Sequence, residues 1–151
     1  MVARAVELEQ PAIALTDHGN LHGAIDFFQA AKKVGIKPII GVEGYVADGP
    51  RDERNPQKRS PFHLTVISQN RIGYQNLLKL VSASHIEGFY QRPRMDREIL
   101  EKYSEGLIIL SGCPSSELGR YINNGDLDAA RETIEWYGNT FQDRYYLEMM
   151  M

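Results

Sequence analysis

The chain has 151 residues, 42% hydrophobic and 25% charged, with a net charge of −3. That length supports one domain with a real core, and the slight acidic excess argues against a broadly basic nucleic-acid surface, although local basic patches stay open. A single cysteine excludes an internal disulfide, no apolar run approaches the ~20 residues of a bilayer span, and the charged opening MVARAVELEQ lacks a signal-peptide core, so the expected setting is the cytoplasm with no membrane partner.

Residues 2–9 read as a short helix. PAIAL (11–15) is a short apolar run ending at TDHG, the pattern of a buried strand. Leu21, Ala24, Ile25, Phe28 and Ala31 then recur at helical spacing. Asn20 is placed to cap that helix, and Lys32, Lys33 and Gly35 to end it. IKPIIGVEGYVA (36–47) is strand-like, with Pro38 near its start where a missing N–H does least harm. Seven of the fifteen residues of ADGPRDERNPQKRSP (47–61) are charged and three are proline, which predicts an exposed, mobile loop.

FHLTVIS (62–68) is the next strand. Asn70 caps a helix whose Tyr74, Leu77, Leu78 and Val81 follow the i, i+3, i+4, i+7 rule. HIEGFYQRPRM (85–95) reads as irregular and sets Arg92 and Arg94 beside Phe89 and Tyr90. A short helix at 96–103, an apolar strand GLIIL (106–110) and a short helix from Ser115 to Tyr121 follow. Asp126 caps a longer helix with Leu127, Ala130, Ile134, Tyr137 and Phe141 on one face, and RYYLEMM (144–150) reads as a last strand. Strands and helices thus alternate four or five times. This is the α/β pattern of a parallel sheet with crossovers, open or closed into a barrel, whose functional groups gather at the carboxyl ends of the strands.

Four strands each bring a potential metal ligand: His18 after PAIAL, Glu43 inside IIGVEGY, His63 near the start of FHLTVIS, and Cys113 after GLIIL. Imidazole, carboxylate and thiolate suit zinc, and imidazole with carboxylate also suits manganese or iron. Asp17 precedes His18, and successive strand residues face opposite ways, so one of the two ligates while the other orients it. Each residue also has a plainer reading. Asp-His-Gly after a strand is an ordinary turn with a helix cap, a histidine in an apolar strand is a core residue, and a lone cysteine is a small buried hydrophobe. Glu43 is the exception, because a carboxylate between IIGV and GYV is costly to bury without a cation or metal. His22 and His85 are explained by helix surface or loop.

The segments TDHG, GVEGYVA, HLTVISQNRIGYQNLLKLVS, EGFYQRPRMDREIL and EGLIILSGC, in this order, closely resemble the PHP (polymerase and histidinol phosphatase) domain family. More narrowly they are similar to the branch that heads the bacterial replicative C-family DNA polymerases, over about residues 2–148. The resemblance implies a distorted seven-stranded β/α barrel with a multinuclear metal cleft at the carboxyl ends of its strands. It implies that His18, Glu43, His63 and Cys113 are metal ligands and that Asp17 supports them from outside the ligand shell. The implied activity is metal-dependent phosphodiester hydrolysis, in the form of a proofreading 3′–5′ exonuclease. DNA and other replicase subunits are the implied partners, and magnesium the ion of the parent polymerase.

The family's first strand, with a His-x-His motif, and its last ligands, an Asp-x-His pair, have no counterpart in residues 1–151. The expectation is therefore a partial PHP domain whose isolated activity is low. Arg92 and Arg94, with Phe89 and Tyr90, are candidates to contact a single nucleic-acid strand through charge and stacking; exposed arginines on a packed loop are the plainer account. A stand-alone phosphoesterase of the histidinol phosphatase kind and a non-catalytic brace for a polymerase are the alternative functions.

Overall fold

In the computed structural model, which describes residues 1–58 and 60–149, the sheet is organised about β2 (Lys37–Val46). Along one edge β2 pairs in parallel with β1 (Ala12–His18) and then, at its end, with β5 (Arg92–Met95). Along its other edge it pairs antiparallel with β3 (Phe62–Ser68). β6 (Leu107–Leu110) continues antiparallel to β3, β7 (Tyr145–Tyr146) lies parallel to β6, and β4 (Phe89–Tyr90) forms a hairpin with β5. The sheet is thus mixed, not the parallel sheet that the alternation predicts. Among its described residues the segment joining β2 to β3 holds one 3₁₀ turn (Pro56–Lys58) and no α-helix, the element that usually carries a parallel crossover.

Among the described residues six helices accompany the strands: α1 (Val2–Glu7), α2 (Ala24–Lys33), α3 (Arg71–Ile86), α4 (Arg97–Lys102), α5 (Glu117–Asn123) and α6 (Leu127–Phe141). Alternation along β2 sends Val42 and Val46 to one face. There they join Leu64 and Val66 of β3 and Leu107 and Ile109 of β6 in a core closed by Leu77 and Leu80 of α3, Ile99 and Leu100 of α4, and Tyr137 and Phe141 of α6. The intervening residues Glu43 and Tyr45 are left for the opposite face. The expected caps form at Asn70, which accepts from the Gly73 amide, and at Asp126, which accepts from Ala129.

Other expectations change. Asn20 does not cap α2. Its side chain closes a turn, accepting from His22 N–H and donating to the His18 carbonyl, and α2 begins only at Ala24. α2 buries Ala24, Phe27 and Ala31 and leaves Ile25 and Phe28 exposed, because its apolar arc is wider than the strip that meets the sheet. The same holds for Leu78 on α3 and for Leu127 and Ile134 on α6. His85 and Ile86 belong to α3, and the rest of the predicted irregular stretch is the β4–β5 hairpin. The last strand shortens to Tyr145–Tyr146; Met150 of that stretch, like Arg59 of the charged segment, lies outside the described residues.

The charged segment is tied to the body by two arginines instead of lying loose. Arg51 forms ion pairs with Glu87, Asp96 and Glu98, and its own amide donates to Asp96. Arg94, only 3% exposed, donates to the Gly88 carbonyl from Nε and to the Arg51 and Glu53 carbonyls from Nη2. Its guanidinium also lies over the Tyr90 ring. Arg94→Ala is expected to cost about 2–4 kcal/mol, the range for opening a buried charge-assisted network, and to expose residues 48–56 to protease. Urea denaturation and limited proteolysis measure the two effects.

Tyr137 is fully buried among aromatics, and burial holds its phenol well above the usual range. Its hydroxyl has no hydrogen-bond partner among the described residues. Tyr137→Phe is therefore expected to be neutral or to stabilise by up to about 1 kcal/mol in the same urea assay.

Candidate metal centre

The end of β1, the latter half of β2, the start of β3 and the loop after β6 lie at one end of the sheet. Register brings His18 opposite Glu43, and Tyr45 opposite His63. Glu43 is the hinge of the arrangement. Its Oε1 lies 2.8 Å from His63 Nδ1 and its Oε2 lies 3.1 Å from His18 Nδ1. Cys113 Sγ lies 3.6 Å from His63 Nδ1. Ligand atoms of Glu43, His63 and Cys113 all fall within 4.8 Å of one another, while His18 joins through Glu43 alone. The Glu43 and His63 side chains are 25% and 30% exposed, whereas that of His18 is 70% exposed at the open rim.

These donors fit a divalent ion on chemistry and on spacing. Ligand bonds of about 2.0–2.3 Å at tetrahedral angles put neighbouring donor atoms about 3.3–3.8 Å apart. The separations of 3.1 and 3.6 Å lie near that range, and 2.8 Å is the length of a carboxylate–imidazole hydrogen bond that an ion would open. Imidazole, carboxylate and thiol are donor types that bind divalent ions.

Backbone geometry holds these side chains in place. The loop Ser111–Ser115 is stitched to β3 by the His63 amide, which donates to the Ser115 carbonyl at 3.2 Å, and the Ser115 amide points back at Cys113 Sγ at 3.4 Å. Gly112 turns this loop with φ +80°, and its amide donates to the Glu148 carboxylate. After β1, Gly19 has φ +67° and its amide donates to the Glu43 carbonyl at 2.8 Å. A Cβ at Gly19 would sit 2.8 Å from Pro93 Cγ and 3.0 Å from the Tyr45 ring. Only glycine fits that approach.

Of the residues singled out in the sequence, His18, Glu43, His63 and Cys113 meet here. Among the described residues no imidazole bonds to Asp17. Its carboxylate accepts from the Gly23 amide at 3.2 Å and so closes the loop before α2, because alternation along β1 turns it from the side His18 takes. Arg94 is also withdrawn from strand contact: it is buried, and its guanidinium is committed to backbone carbonyls. Arg92 is exposed, with its guanidinium over the Tyr45 ring at 5.4 Å.

Two participants escaped sequence reasoning. Tyr45 is buried with its ring edge-on to His63 at 5.4 Å, and it was readable only as the residue two beyond Glu43 on the same strand face. His85, exposed on the surface of α3 as expected, also lies 2.8 Å from the Gly19 carbonyl and stacks on Phe89. No sequence signal links a residue on α3 to the end of β1.

Fold and site together define a mixed α/β domain with a carboxylate–imidazole–thiol cluster, the donor set of a divalent-metal centre, at one end of its sheet. The chain belongs to the PHP domain family: the family model matches residues 1–151. Its mixed sheet is accordingly part of a PHP-type barrel. It is 44% identical over 151 residues to DNA polymerase III subunit alpha of Borreliella burgdorferi, covering 99% of this chain and 13% of that protein. It is 45% identical over 144 residues to DNA polymerase III subunit alpha of Thermus aquaticus, covering 93% and 12%. The chain thus spans about an eighth of the length of these curated relatives. A crystal structure from Bifidobacterium adolescentis, assigned as a metal-dependent phosphoesterase, superposes with a TM-score of 0.43 at 10% identity, over 92% of this chain and 77% of that one.

Gly19→Ala combines a left-handed backbone with a crowded Cβ. It is expected to cost about 1–3 kcal/mol in denaturation and to shift the NMR signals of Tyr45 and His63, since the Tyr45 ring must give way.

Proposed function

We propose that this chain is the PHP portion of a bacterial replicative DNA polymerase, DNA polymerase III subunit alpha, acting on DNA in the cytoplasm beside other replicase subunits. In this reading His18, Glu43, His63 and Cys113 hold divalent ions, zinc, manganese or iron, for phosphodiester hydrolysis of the 3′–5′ exonuclease kind. Magnesium serves the polymerase reaction elsewhere in the polypeptide. The observation that carries the reading is the convergence of four ligand-type side chains from four separate segments, with His18 and His63 on the two oxygens of Glu43 and Cys113 against His63.

Bound divalent ions would supply activation of water, orientation of the phosphate and neutralisation of charge on the leaving oxygen. The residues of this chain divide the remaining work. Glu43 offers one oxygen to the His63–Cys113 side and one to the His18 side, so it joins two half-sites. Tyr45 walls His63, its ring edge-on to the imidazole. The Ser115 amide holds Cys113 Sγ toward His63. Among the described residues no carboxylate or imidazole beside the cluster stands apart as an independent general base.

In the full-length polypeptide, His63→Ala is expected to weaken divalent-metal binding by more than the roughly 10–100-fold typical of removing an outer partner. Chelator-sensitive cleavage of single-stranded DNA should fall with it. Elemental analysis of the purified protein is the check, and metal content equal to wild type would remove the assignment.

A further inference from the structure

We propose that Arg92, seated on the Tyr45 ring at the tip of the β4–β5 hairpin, grips the phosphate of the nucleic-acid ester presented to the metal centre; this rests on the metal reading above. Tyr45 is the physical link. One ring meets His63 of the cluster edge-on at 5.4 Å and carries the Arg92 guanidinium over it at 5.4 Å. The distance from cluster to guanidinium is therefore set by a buried side chain and not by a flexible arm.

The two arginines of QRPRM divide sharply. Arg94 is consumed by backbone carbonyls, whereas Arg92 is exposed and meets no carboxylate among the described residues. An unpaired guanidinium stacked on an aromatic face keeps its N–H edges free, and that planar fork matches two phosphate oxygens. The stacking itself limits the conformational freedom lost on binding.

Two further features aim it. Gln91, which turns the hairpin, has φ +63°, a left-handed conformation that a non-glycine side chain adopts at a cost. That turn places Gln91 and Arg92 on one wall of a cavity of about 580 Å³ whose other walls include His18, Tyr45 and His63. A phosphate with its flanking sugars fits such a volume. The charge balance points the same way: the cluster supplies Glu43 and a thiol, so an anionic substrate needs a cation beside the ions, and among the described residues of that cavity wall Arg92 is the arginine.

The test uses the full-length polypeptide as wild type, Arg92→Ala and Arg92→Lys. Bound metal is first measured by elemental analysis, and the metal-loaded proteins are then titrated calorimetrically with inorganic phosphate. Arg92→Ala is expected to bind phosphate about tenfold more weakly at unchanged metal content, the effect of losing one charge-assisted contact at a solvent-accessible site. Arg92→Lys, which keeps the charge but not the fork, should fall between. Equal phosphate affinity in wild type and Arg92→Ala overturns the role of Arg92 while leaving the metal reading intact. Loss of metal in both variants overturns it too, by making Arg92 a support of the cluster. A wild-type protein that holds no divalent ion removes the metal reading and this inference with it.

Discussion

Neighbouring residues of a strand face opposite ways, and on β2 that alternation does two jobs at once. Val42 and Val46 close the core against α3, α4 and α6, while Glu43 and Tyr45 are thrown to the other face. A slip of one residue would put the carboxylate in the core and the valines in the cleft. The buried side therefore fixes the functional side. The apolar contacts of Val42 and Val46 are the energetic reason that Glu43 stands where His18 and His63 can reach it.

Strand direction is the second determinant. His63 lies near the start of its strand, whereas His18 and Cys113 come at or beyond the ends of theirs. In a fully parallel sheet His63 would sit at the wrong end. Because β3 runs antiparallel to both β2 and β6, its first residues meet the last residues of its neighbours. The departure from the parallel pattern is what assembles the cluster.

The arginines of the β4–β5 hairpin show how little separates scaffold from site. Two residues apart, one is buried under the charged segment and holds it to the body, and the other faces the cleft over an aromatic ring. Arg51 and Arg94 together turn a stretch that reads as loose into an anchored one, since buried carbonyls and carboxylates need those donors. A hairpin whose root is locked in this way presents its tip, Gln91 and Arg92, at a defined place.

Much of this was legible in the amino-acid order. The seven-residue strand FHLTVIS, the caps at Asn70 and Asp126 and the four ligand-type residues follow from local rules: periodicity, side-chain capping and the chemistry of imidazole, carboxylate and thiol. The motifs also carried the family, which the match over residues 1–151 bears out. Local rules failed where an outcome depended on what lay across space. The exposed Ile25 and Phe28, the burial of Arg94, the Gly23 partner of Asp17 and the reach of His85 to Gly19 were all decided by packing between elements distant in sequence. Residue types and their spacing determined which chemistry was available. Only the tertiary structure, through strand direction and register, decided which side chains share it, because those two variables have no local signature in the chain.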